Sequence, residues 1–179
     1  MNHLQQINPY NFHLRINELW KNQWLLLTVG DFEKGDFNTM TVAWGSLGVM
    51  WRKPFAMVVV RPTRYTFGFM NRFPDFTLTA FPEKYRKDLS LLGKKSGRDG
   101  DKIAKTRLHP VASEIIKSPA FAEAELILEC KKIYWEDLNP DHFLDPSIAK
   151  NYKNHDEHRM YFGEVLRIKG TEKYNIEKT

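Results

Sequence analysis

From residue 24 onward the apolar residues recur in short runs with the two-residue period of a strand, and turn residues interrupt each run before it reaches helical length. Segment 24–29 is rich in Leu, Thr and Val and is closed by Gly30-Asp31, as a buried strand ending in a turn would be. At 38–45, Met40, Val42 and Trp44 alternate with Thr39, Thr41 and Ala43, so this strand has two different faces. One of them must meet something other than water or plain core. The run 55–60 is continuously apolar and ends in three valines, which predicts a central strand covered on both sides. Segment 75–81 alternates again, and extended regions follow at 124–138 and 158–168. In the former the apolar phase slips over 130–133, so a bulge is expected.

Short helices are expected between these strands. Asn8-Pro9 reads as a cap ahead of a helix over 12–20. A second helix begins at Thr63 or Tyr65 and runs to Asn71 with Phe67 and Met70 inward, and a third spans 83–92 on Leu89 and Leu92. The glycines and charges of 93–101 mark a loop. About six strands with peripheral helices, in a chain long enough for one domain over 1–179, predict a mainly β barrel or sandwich.

A net charge of +5, with basic clusters at 52–53, 61–64, 84–95 and 98–107, suits solubility or small anions such as phosphate esters. Nucleic acid is not expected as a partner: zinc-finger spacing, a basic heptad region and a ribonucleoprotein aromatic motif are all absent. Cys130 is the only cysteine, so redox chemistry would have to come from a cofactor. With Lys131 and Lys132 following it but no histidine nearby in sequence, it reads most simply as a small buried hydrophobe. The N-terminus lacks a signal pattern and the apolar runs are too short to span a bilayer, so a cytoplasmic location without membrane contact is expected.

The densest chemistry lies in Arg61-Pro62-Thr63-Arg64-Tyr65-Thr66. Two guanidinium groups, two hydroxyls and the free N–H groups of a strand-to-helix junction suit a dianionic phosphate, although solvated arginines at a strand end would give the same string. Ahead of it, small and hydroxylated residues alternate with large ones over 38–46. A flat ligand could approach that backbone while Thr41 and Ser46 supply hydrogen bonds. Trp44 fits either the core or the flank of an aromatic ring. The dinucleotide pattern GxGxxG is absent, and Asp99-Gly100-Asp101 lacks the remaining ligands of a calcium loop. His155-Asp156-Glu157-His158 reads as a solvated turn, because adjacent extended residues point to opposite sides and do not converge on a metal.

Taken together and in order, NTMTVAWGSLGVMWRKPFAMVVVRPTRYT, FTLTAF, SGRDGDK and HRMYFGEV resemble the flavin reductase-like domain family, especially its flavoredoxin-type branch, over about residues 9–165. The resemblance implies an FMN-binding split β-barrel of Greek-key type, usually a homodimer, that holds FMN without covalent attachment. It implies that Thr39, Met40, Thr41, Ala43, Trp44 and Ser46 line the isoalloxazine and ribityl chain, and that Arg61, Arg64, Tyr65 and Thr66 surround the phosphate. Lys102 would lie near the flavin, where a cation favours the reduced anionic ring; a surface lysine is the alternative. Ser96, Arg98 and Asp101 are loop organisers or phosphate-side contacts. Phe162 would close over the ring, reach across a dimer or pack in the core, and His158 opens the same strand. Flavin chemistry needs few acid–base residues, so no catalytic residue is named. The implied activity is an NAD(P)H-dependent reductase passing electrons through FMN to a flavin or another acceptor, the alternative being an electron carrier reduced by a redox partner protein.

Overall fold

The computed structural model describes residues 3–152 and 154–175. Its strands are β1 Gln5–Gln6, β2 Leu25–Asp31, β3 Asp36–Val42, β4 Gly45–Met50, β5 Lys53–Val60, β6 Asp75–Ala80, β7 Pro110–Val111, β8 Ala120–Phe121, β9 Leu126–Asp137 and β10 Arg159–Gly170. The helices are α1 Ile16–Glu18, α2 Tyr65–Arg72, α3 Arg86–Lys94 and α4 Pro146–Ala149. The main sheet runs β3-β2-β6-β9-β10-β5-β4, with β1 on the far end of β10, and its pairings are antiparallel.

The two edge strands of that order, β3 and β4, are consecutive in sequence and separated only by Ala43 and Trp44. The sheet therefore has to curl until its edges meet at that corner, which closes a barrel there and leaves it split elsewhere. Gly45 makes the corner possible: a Cβ on it would lie 2.4 Å from both the Met57 carbonyl oxygen and the Trp20 ring.

Alternation sorts the side chains. Leu25, Leu27, Val29, Met40, Val42, Ala56, Val58, Val60, Phe76, Leu78 and Tyr161 fill the barrel. On the opposite side of β2, Leu26 joins Leu89 and Leu92 of α3 with Phe81, Leu108 and Phe121 in a second cluster. Strand β2 is consequently buried along its whole length. Where β9 pairs with β10 the register shifts between Phe162 and Gly163, which face Tyr134 and Lys132, so Ile133 is the extra residue of a bulge.

Three expectations change. The strand over 38–45 ends at Val42, and 45–50 forms a separate strand, β4. The first helix shrinks to α1 followed by a π-turn over Leu19–Gln23, while Asn8 caps a turn through Tyr10. Strand β5 buries only alternate residues, Ala56, Val58 and Val60. Its other face, Phe55, Met57 and Val59, lies opposite Gly48 and Ser46 of β4 and opposite Glu164, Phe162 and Met160 of β10, in largely apolar rows on the outside of the barrel that end at the Lys53–Glu164 ion pair. Trp44 (50% exposed), Trp51 (55%) and Tyr134 (43%) extend this apolar surface into solvent.

Candidate functional site

Strand β3 is the free edge at the barrel's corner, so its outer backbone groups are unpaired with any strand among the described residues. Met40, Thr41, Val42 and Ala43 line a cavity of about 250 Å³ together with Trp44, Val59, Arg61, Arg64 and His158. Four consecutive residues can border one cavity only through the backbone edge of a strand, because their side chains alternate. The Thr41 hydroxyl donates to the Leu89 carbonyl of α3, leaving the main chain as the polar lining on this side.

A second cavity, about 100 Å³, shares Met40 and Arg64 with the first. Arg64, Lys94, Lys95, Arg98 and Lys102 line it, and no carboxylate does. Tyr65 and Thr66 bring in the first turn of α2, which opens without a side-chain cap. Free N–H groups and the positive end of the helix dipole therefore add to the five cations. Asn38 donates to the Thr66 hydroxyl oxygen at 2.6 Å, so the hydroxyl proton remains for a ligand.

The cations are held by the end of α3. Lys102 is 6% exposed and donates to the Leu92 and Lys95 carbonyls at 2.9 and 3.1 Å, while Arg64 donates to the Gly93 carbonyl at 3.3 Å. A helix C-terminus thereby fixes two positive charges at the wall of a pocket. Burial, with the Arg64 charge adding to it, lowers the Lys102 ammonium to about 8. A bound dianion would favour its protonated form. Arg98 donates to the Thr63 carbonyl at 3.1 Å and lies over the Tyr65 ring, and Ser96 accepts from the Arg98 N–H.

At the other end, the His158 ring lies 5.1 Å from the Trp44 ring. Its Nδ1 is 2.9 Å from the Tyr152 hydroxyl. A phenol is the stronger donor and a neutral imidazole nitrogen the better acceptor, so Tyr152 donates and the ring proton sits on Nε2. Burial, then the Arg61 charge, brings the His158 pKa down to about 4, against a partial opposing pull from Asp156. Arg61 itself holds the Asp156 carboxylate through two contacts, 2.9 and 3.1 Å, and donates to the Asn151 carbonyl. Within 155–158, His155 is exposed as a solvated turn would have it, but Asp156 is tied to Arg61, the residue after β5, and His158 is 9% exposed.

Because His158 stays neutral when folded but takes a proton near pH 6.5 when unfolded, its contribution to stability is complete above about pH 6.5 and is lost as pH falls toward 4. Thermal unfolding should show a larger drop in Tm for the wild type than for His158→Gln between pH 6.5 and 4.5. Equal drops would mean that His158 is not held neutral.

The expected site residues divide as follows. Met40, Thr41, Ala43, Trp44, Arg61 and Arg64 meet at the first cavity, and Arg64, Tyr65, Thr66, Ser96 and Lys102 at the second. Thr39 lies at neither: it is fully buried, bonded to the Thr28 hydroxyl and the Leu27 carbonyl. Ser46 and Phe162 sit one row along the outer face from Trp44 and Val59, Phe162 packing on Phe55, Tyr134 and Trp51. Asp101 organises its loop by accepting from the Ile103 and Ala104 N–H groups. Asn38, Lys94, Lys95 and Tyr152 were not singled out by sequence. Asn38 opens the alternating strand and Lys94 and Lys95 close the basic cluster over 84–95, whereas Tyr152 carried no signal.

No protein-family model matches the sequence, and no curated protein matches it. Solved structures do. The FMN-binding domain of a flavin reductases-like enzyme from Shewanella baltica superposes with a TM-score of 0.69 at 16% identity, covering 96% of this chain and 78% of that one. Flavoredoxin of Desulfovibrio vulgaris gives 0.65 at 21% identity, over 87% and 73%. An NADH:FAD oxidoreductase from Streptomyces globisporus, in complex with NAD and FAD fragments, gives 0.62 at 18% identity, over 82% and 73%. The chain has the split-barrel fold of these flavin reductase-like proteins. Among the described residues no helix is long and apolar enough to cross a membrane.

Proposed function

We propose that this chain binds FMN non-covalently at the β3 edge and acts as an NAD(P)H-dependent oxidoreductase, passing electrons through FMN to a flavin or another acceptor. The observation that carries the reading is the composition of one continuous site. A carboxylate-free pocket with five cations joins, through Met40 and Arg64, a cavity bordered by a free strand edge and by Trp44 and His158. The first end suits a phosphate monoester and the second a flat heteroaromatic ring with hydrogen-bonding edges. The fold shared with FMN-binding proteins supports the same pairing.

When bound, FMN supplies a hydride-accepting ring nitrogen and the electron storage that a chain with one buried cysteine lacks. The protein's part is positioning. Arg64, Lys102 and the first turn of α2 would anchor the phosphate, and the Met40–Ala43 backbone would bond the ring edge. Tyr152 would hold His158 so that its Nε2–H points away from Nδ1 as a neutral donor. The apolar rows on the outer face of β4, β5 and β10 support a homodimer that covers them.

Anaerobic mixing of the FMN-loaded protein with NADH and with NADPH tests the reading. Bleaching of the flavin absorbance by at least one donor is expected. An unbleached flavin with both would transfer the reading to a carrier reduced by a redox partner protein, for which the basic surface over 84–107 offers a docking site and predicts rates that fall with salt.

A further inference from the structure

A cavity of about 700 Å³ shares no lining residue with either cavity of the flavin site and is larger than each of them. It opens between the 13–23 segment, the 82–86 turn into α3 and the turn over Glu172–Tyr174. Small-molecule sites usually fall in the range of about 300–1,000 Å³. Its wall carries both signs: the carboxylates Glu18, Glu83 and Glu125 against the cations Arg15, Arg86 and Lys173. Lys173 pairs with Glu125, but among the described residues no ion pair joins Arg15 or Arg86 to any of the three carboxylates. Opposite charges that face one cavity without closing on each other are the complement of a ligand that carries both.

Gln23 sets the two poles. It ends the π-turn over Leu19–Gln23, and Trp24 at φ 65° then turns the chain into β2, leaving Gln23 at the cavity wall. Its side-chain amide donates to Glu125 Oε1 at 2.6 Å, and its carbonyl accepts from Arg86 at 3.0 Å. Arg86 also donates to the Asn22 carbonyl and lies 3.2 Å from the centroid of the Trp24 ring, so its guanidinium is held in place. One residue thereby fixes a cation on one side and an anion on the other. Glu125 is 9% exposed, and the Tyr174 hydroxyl and Lys173 ammonium donate to the same Oε1. Burial pushes the Glu125 carboxyl up, but the bonds from Lys173, Tyr174 and Gln23 outweigh it and hold the group below the usual carboxylate range, ionised at neutral pH. Its Oε2 receives no hydrogen bond among the described residues. Such an oxygen at a cavity wall is an acceptor for the N–H groups of a ligand.

We infer that this cavity binds a small zwitterion of the α-amino acid class, its ammonium group on Glu125 and its carboxylate on Arg86. The experiment is thermal unfolding of the whole chain with each of the common L-amino acids added singly at about 10 mM, followed by calorimetric titration of the one that stabilises most. At least one should raise Tm by about 2 °C or more. Its decarboxylated amine and its N-acetyl derivative, each lacking one pole, should bind at least about tenfold more weakly. Glu125→Gln, which keeps the shape and removes the charge, should weaken the amino acid by at least about tenfold. Arg86→Gln makes the same test at the other pole if Glu125→Gln does not fold. A Tm unmoved by every amino acid, a ligand that binds as tightly without one of its charges, or a folded variant that binds it as well as the wild type overturns the inference.

Discussion

Replacing Arg64 with alanine should weaken FMN binding by about 1.5–3 kcal/mol, the usual contribution of a hydrogen bond to a charged group, which is about 10- to 150-fold in Kd. Arg64 is the residue whose loss bears on the whole site, because it is the one cation that lines both cavities. Its other engagement is a 3.3 Å bond to the Gly93 carbonyl at the end of α3, a long contact that leaves other guanidinium donors for a ligand. Arg61 makes the instructive contrast. Sequence pairs it with Arg64 in one turn, yet the structure gives its guanidinium to Asp156 and Asn151. Arg61→Ala should therefore loosen the 138–158 segment more than it weakens phosphate binding.

Phe76→Ala should cost about 3–5 kcal/mol of stability, which for a chain of this length lowers Tm by about 6–20 °C. Strand β6 lies between β2 and β9 in the sheet, and Phe76 is completely buried in the barrel core. The ring occupies space that Gly163 of β10 leaves free: a Cβ on that glycine would approach it to 2.6 Å. A truncated side chain there leaves a cavity walled by two long strands, and such walls do not collapse easily. Thermal unfolding checks the magnitude. FMN affinity measured well below the lowered Tm should be unchanged, since Phe76 borders neither cavity of the site.

What sequence made legible was the packing, because packing leaves a periodic trace. The extended segments around β2, β3, β5, β6, β9 and β10 all form strands, and the phase slip over 130–133 is the bulge at Ile133. Strand β4 left no trace for two physical reasons. Gly45 and Gly48 break its apolar pattern, and its hairpin turns on Trp51 and Arg52 at φ 52° and 60°, conformations that glycine or asparagine normally signals. Strand β5 misled because a continuous apolar run looks the same whether its second face meets core or an open surface. At the site, the alternation over 38–46 and the Arg-Pro turn marked the right neighbourhood. They did not show that the backbone edge would line the cavity, which follows from β3 ending the sheet. Tyr152 and Asp156 come from a loop with no periodicity, and their approach to His158 and Arg61 exists only once β9 and β10 pair.

The central claim is that a flavin phosphate occupies the pocket between α2 and the end of α3. It is tested most directly by titrating flavin-free wild type and Arg64→Ala with FMN and with riboflavin, which has the same ring but no phosphate. The account predicts that the wild type binds FMN at least about tenfold more tightly than riboflavin. It also predicts that Arg64→Ala removes most of that difference, because the variant weakens FMN far more than riboflavin. Equal affinity of the wild type for the two flavins, or a variant that weakens both to the same extent, would contradict it.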